Sequence, residues 1–82
     1  MEIFRTNLPL WVQKLSDYKL KQYIESLNEF EISGRTNNIA LKNIAATWYS
    51  TERTTAEDEL RSLANDVYRE AAIRWHDSQN AV

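Results

Sequence analysis

The chain has 82 residues, a net charge of −2 and a hydrophobic share of 43%, with no cysteine, one glycine and one proline. That length admits one domain, and the lack of cysteine excludes disulfide stapling and thiol chemistry and fits a reducing, cytoplasmic setting. A strand-rich fold is excluded by the scarcity of turn residues, which such folds need about every 8–12 positions. The hydrophobic share suits an ordered chain rather than a disordered one. The start MEIFRTNLPLW has no long apolar run behind a basic flank, so it reads as neither a signal peptide nor a membrane span.

In chain order, residues 1–7 read as extended, with Ile3 and Phe4 available to pack on a core. LPLWVQKL then reads as a short helix: Pro9 suits a first turn, where no backbone N–H is needed, and Trp11 and Leu15 share a face. Ser16 and Asp17 interrupt and recap the chain. A second helix follows with the stripe Leu20, Tyr23, Ile24, Leu27, Phe30, and Gly34 stands where a left-handed C-terminal cap wants glycine. Asn37 or Asn38 caps a third helix carrying Leu41, Ile44, Ala45 and Trp48 on one face. Thr54, with Glu57 three residues on, matches a capping box for a fourth helix over roughly 55–79. Its stripe is Leu60, Leu63, Ala64, Val67, Ala71 and Trp75, with Tyr68 and Ala72 on the flank, and Glu57–Arg61 and Glu70–Arg74 form i, i+4 pairs on its wetter sides. The fold expected is all-α: one domain over 1–82, with three main helices and a short N-terminal helix laid across them. All three tryptophans fall on apolar stripes, and core packing is their default.

Charge is uneven. Residues 1–35 carry five basic and five acidic groups, whereas residues 54–82 carry three basic and six acidic, so the C-terminal third is the acidic end.

The chemistry available to such a chain is limited. A metal site needs three or four converging ligands, and the lone His76 has only Asp77 beside it, about 100° away on a helix. HDS at 76–78 sets nucleophile, base and acid types side by side rather than face to face. Glu25 and Glu29, and Asp66 and Glu70, are spaced one residue wider than the Glu-x-x-Glu and Glu-x-x-Asp signals of all-helical nucleotide pyrophosphatases, and read as solvated charged faces. No catalytic residue, metal or cofactor is therefore expected, and the chain does not read as an enzyme. The helix-turn-helix reading of LKNIAATWYSTERTTAEDELRSLA is the alternative function, a small DNA-binding regulator. Against it, the second helix would enter the groove with Glu57, Asp58 and Glu59, opposing the phosphates that supply such affinity.

Protein–protein binding is the remaining class. Ile73 lies about 150° from the stripe, while Arg74 falls toward it. A helix of some 25 residues spans ~37 Å, against a diameter of about 30 Å for a domain of this size. Near Ile73 the helix therefore either changes partners or runs past the core. The candidate binding residues are Tyr68, Ile73, Arg74, Trp75 and His76. The function expected is a small stand-alone regulator or inhibitor, of the kind found in phage or bacteria, acting on a protein partner or as a homodimer. On this reading Ile73→Asp leaves the monomer folded and weakens association.

Overall fold

The computed structural model describes residues 8–80; the extended arm expected to carry Ile3 and Phe4 lies outside the described residues. The described residues form four helices and no strand: α1 (Leu10–Gln13), α2 (Asp17–Ser33), α3 (Ile39–Tyr49) and α4 (Ala56–Asn80). The architecture is the expected all-α one, three main helices with a short helix at the N-terminal end.

Each helix begins and ends where its local chemistry requires. Pro9 precedes α1 in an extended conformation (φ −65°, ψ 152°), and its carbonyl accepts from the backbone of Val12 and Gln13. α1 stops after one turn, and the Ser16 hydroxyl accepts from the Lys19 N–H at 3.1 Å to start α2. α2 ends at Gly34, whose φ of 76° is left-handed backbone that a side chain disfavours; its N–H donates to the Phe30 carbonyl at 2.7 Å. Asn38 caps α3 by accepting from the Leu41 N–H at 3.0 Å, and its amide nitrogen donates to Ser26 Oγ at 3.1 Å, tying α2 to α3.

The start of α4 falls one residue later than the sequence pattern indicates. Thr55, not Thr54, forms the capping box, and its reciprocal partner is Asp58 rather than Glu57: the Asp58 N–H donates to Thr55 Oγ1 and the Thr55 N–H to Asp58 Oδ2, both at 3.1 Å. Thr54 is withdrawn from capping because its hydroxyl serves the preceding loop, accepting from the Thr51 N–H at 2.8 Å. A shorter Asp in place of Glu completes the same exchange.

The core is Leu8 and Val12 from the N-terminal segment, Leu20, Tyr23, Leu27 and Phe30 from α2, Leu41 and Ala45 from α3, and Leu60, Leu63, Ala64 and Val67 from α4. The α2 stripe is as the periodicity predicts, with Ile24 half-buried at its edge. α4 is the shared wall of the molecule, packing against α1, α2 and α3. The protein measures 42 × 24 × 17 Å with a radius of gyration of 13.1 Å, above the ~12 Å of a compact chain of this length. The excess reflects α4, which is ~37 Å long at 1.5 Å per residue. Burial along it ends with the half-buried Arg74, and Trp75 to Gln79 are all exposed.

Candidate functional site on the outer face of α4

At the level of residues 70–74, α4 changes partners. Upstream, its buried positions Leu60, Leu63, Ala64 and Val67 face α2 and α3. At Glu70 the inward arc turns toward α1, and Arg74 organises the junction. Its Nε donates to Glu70 Oε2 at 2.7 Å and its Nη1 to Asp17 Oδ1 at 2.8 Å. Its Nη2 faces the carbonyls of Leu15 (2.6 Å), Gln13 (3.3 Å) and Val12 (3.5 Å). A one-turn helix leaves its last carbonyls without intrahelical donors, and the planar fork of the guanidinium meets several of them at once. Glu70, only 1% exposed, balances the charge from within.

This geometry corrects the expectation that Glu70–Arg74 lies on a wet side of the helix. It also changes how two candidate binding residues read. Arg74 is engaged within its own chain, and Ile73 is half-buried and packed against the core. Ile73 packs against the core although it lies off the stripe set by Leu60, Ala64, Val67 and Ala71. Asp66 and Glu70, expected on a solvated face, are likewise drawn inward, Asp66 by Tyr49 and Glu70 by Arg74.

Tyr49 ends α3 beside α4. Its hydroxyl donates to Asp66 Oδ2 at 2.5 Å, and its ring meets Trp11 edge-on, at 6.4 Å between centroids and 87° between planes. The Trp11 indole nitrogen is buried without a hydrogen bond of good geometry and only partly offsets what Asp66 does to the phenol. Burial first, then the hydrogen bond and negative charge of Asp66, raise the Tyr49 pKa above the ordinary tyrosine range. A folded-state value above the unfolded one, ~10, means that the stabilisation is complete below that pH and lost as the pH climbs through the folded value. In an alkaline titration followed by phenolate absorbance, Tyr49 is expected to ionise above the ordinary tyrosine range. Tyr49→Phe should remove that late step; a titration with no step above the ordinary range would contradict the geometry.

The remaining candidates face outward. Trp75 is 67% exposed, which overturns its core assignment: although it continues the stripe, burial along α4 ends at Arg74. Trp48 is also exposed, on the last turn of α3, and of the three tryptophans Trp11 alone packs against the core. His76 is exposed. Tyr68 is half-buried, its hydroxyl donating to Asn28 Oδ1 of α2 at 3.1 Å, and burial followed by the charge of Glu31 raises its pKa.

Tyr68 and Trp75 belong to a second stripe on α4. Asn65, Tyr68, Ala72, Trp75 and Gln79 follow one another at alternating spacings of three and four residues, which places them on one face of an α-helix. All but Tyr68 are exposed, and Asn65, Tyr68 and Ala72 also line an open groove that continues toward Tyr49 and Asp66. Of the five candidate residues, the structure brings together Tyr68 and Trp75, sets His76 beside them, and turns Ile73 and Arg74 toward the interior. Asn65 and Gln79 are the residues the sequence reading missed as part of this face, whereas Ala72 was placed on the flank beside Tyr68 but not among the binding candidates; the three–four spacing was the signal for them.

Among the described residues, no group of three or more His, Cys, Asp or Glu side chains is placed to hold a metal ion, and no helix is long and apolar enough to cross a membrane. Compared with protein families, curated proteins and solved structures, the chain matches none.

Proposed function

We propose that this chain is a small, non-catalytic regulator or inhibitor that works by binding another protein through the outer face of α4, in the cytoplasm and without direct contact to nucleic acid. The observation that supports this reading is Trp75, a large aromatic two-thirds exposed (67%) on the outer face of α4. Tryptophan and tyrosine are over-represented among residues that dominate binding energy. They offer wide apolar contact at low conformational cost, and Tyr68 stands seven residues, about two helical turns, before Trp75 on the same stripe. The acidic first turn of α4, Glu57, Asp58 and Glu59, argues against the DNA-binding alternative, since those carboxylates would face phosphates.

The test is capture of a partner from the native host on immobilised protein, followed by affinity measurement with the purified partner. Trp75→Ala is expected to weaken binding more than tenfold, the effect of losing about 2 kcal/mol at a hot spot. A partner held equally well by Trp75→Ala and Tyr68→Ala would sink the reading.

A further inference from the structure

We propose that the occupant of the outer α4 stripe, in the absence of another partner, is a second copy of this chain, paired antiparallel along α4 about a two-fold axis at Ala72. This rests on the reading of that face as a protein-binding surface. It is carried by the order of side chains along the stripe, which reads amide, aromatic, small, aromatic, amide: Asn65, Tyr68, Ala72, Trp75, Gln79.

A two-fold interface requires a patch complementary to itself, because each residue meets the copy of whichever residue lies opposite it. Reversing the stripe about Ala72 sets Tyr68 against Trp75 of the second copy, Asn65 against Gln79, and Ala72 against itself. In each case like chemistry meets like. The two aromatic pairs fall symmetrically on either side of the axis, and an aromatic pair adds attraction beyond its area. The two carboxamide pairs at the outer ends exchange donors and acceptors. Alanine at the centre lets the axes approach to about 8 Å, the close end of helix packing, so the aromatics interlock across the gap rather than hold it open.

Charge permits the pairing. No acidic or basic side chain stands on the stripe from Asn65 to Gln79. Arg69, at its edge, already lies 3.8 Å from Asp66 on the side away from Trp75. Trp75 and Gln79 both lie in the stretch of α4 after Arg74, where residues 75–79 are all exposed.

The contact is short. Asn65 to Gln79 spans ~21 Å of helix, and a pair of such faces buries less than the ~800 Å² per partner of a standard stable interface. A weak dimer is therefore expected, with a dissociation constant of roughly 10–100 µM, which another protein with higher affinity for the stripe displaces.

The chain contains no cysteine, so one introduced thiol reports geometry directly. In Ala72→Cys the two thiols face each other at the axis, within the ~7 Å Cα separation that a disulfide tolerates. Mild oxidation is expected to convert Ala72→Cys to a covalent dimer at least tenfold faster than Ser62→Cys, an exposed position of α4 off the stripe. Sedimentation equilibrium of the wild type should rise from one-chain to two-chain mass with concentration. Ala72→Glu, which sets two carboxylates against each other at the axis, should stay monomeric with an unchanged melting temperature.

A wild type that remains monomeric at millimolar concentration overturns the proposal, as does equal cross-linking at residues 62 and 72. Either result leaves the heterologous-partner reading standing if Trp75→Ala still loses its partner. Cross-linking specific to residue 72, together with partner capture indifferent to Trp75, supports the dimer and removes the regulator reading instead.

Discussion

Arg74→Ala is expected to cost about 3–5 kcal/mol of folding stability, the range for removing one member of a buried ion pair. The side chain of Glu70 is 1% exposed and that of Arg74 20%, so the carboxylate loses a hydrogen-bonded partner where little water can replace it. The same substitution withdraws a donor from the carbonyls of Val12, Gln13 and Leu15. Asp17 contributes little to the balance: its side chain is 94% exposed, and such pairs are worth at most about 1 kcal/mol. Total stability for a chain of this length is about 4–12 kcal/mol, so the loss is a large fraction of it. With each kcal/mol moving the midpoint by about 4–8 °C in a domain of this size, the melting temperature should fall by about 12–40 °C.

Two further variants separate the causes. Arg74→Lys keeps the charge but not the planar fork, and should fall between wild type and Arg74→Ala. The double variant Glu70→Met, Arg74→Met should recover part of the loss, because an apolar replacement of a buried pair avoids stranding one charge. Thermal and urea unfolding followed by circular dichroism measure all three. An Arg74→Ala protein that melts with wild type would mean that the junction between α1 and α4 is held by Leu8 and Val12 alone.

The contrast between two pairs in α4 explains where sequence reading stops. Glu57–Arg61 and Glu70–Arg74 have the same residue types at the same spacing. The first is a surface pair of 2.6 Å with both side chains well exposed (Glu57 59%, Arg61 69%); the second is the polar centre of a helix junction. Spacing along a helix reports an angle on that helix, and whether a neighbour reaches that angle at that level is decided by chain far away in sequence. The carbonyls over Arg74 come from residues about sixty positions earlier.

What local chemistry decides was legible. Gly34 at a left-handed cap, Asn38 and Ser16 as N-caps, and the α2 stripe each depend on residues within a turn of one another. The tryptophans were not legible for the same reason as Arg74. Trp48 and Trp75 continue genuine stripes, but α3 ends one residue after Trp48, and burial along α4 ends one residue before Trp75. Arg74 near the apolar stripe was itself a clue: a charged residue at an inward angle signals a polar partner inside at least as readily as a surface outside. The candidate site was thus half legible, with Tyr68 and Trp75 on the outer face and Ile73 and Arg74 on the inner one.

Ile73 and Trp75, two residues apart, should therefore respond in opposite ways. Ile73→Asp is expected to destabilise the protein by about 2–3 kcal/mol, combining the lost burial of part of an isoleucine with the desolvation of a carboxylate against the core. The sequence alone suggested the reverse, a folded monomer with weakened association. Trp75→Ala should leave stability within about 0.5 kcal/mol of wild type, as expected for an exposed position, while abolishing the concentration-dependent rise in mass and weakening partner capture. Measuring melting temperature and sedimentation mass for the two variants side by side separates the inner from the outer face of α4. If Ile73→Asp melts with wild type, Ile73 is not held by the core and belongs again among the binding residues. If instead Trp75→Ala unfolds the chain, the indole is part of the packing and the outer stripe loses its anchor. With Ile73 packed against the core and Trp75 exposed, burial along α4 ends between Arg74 and Trp75.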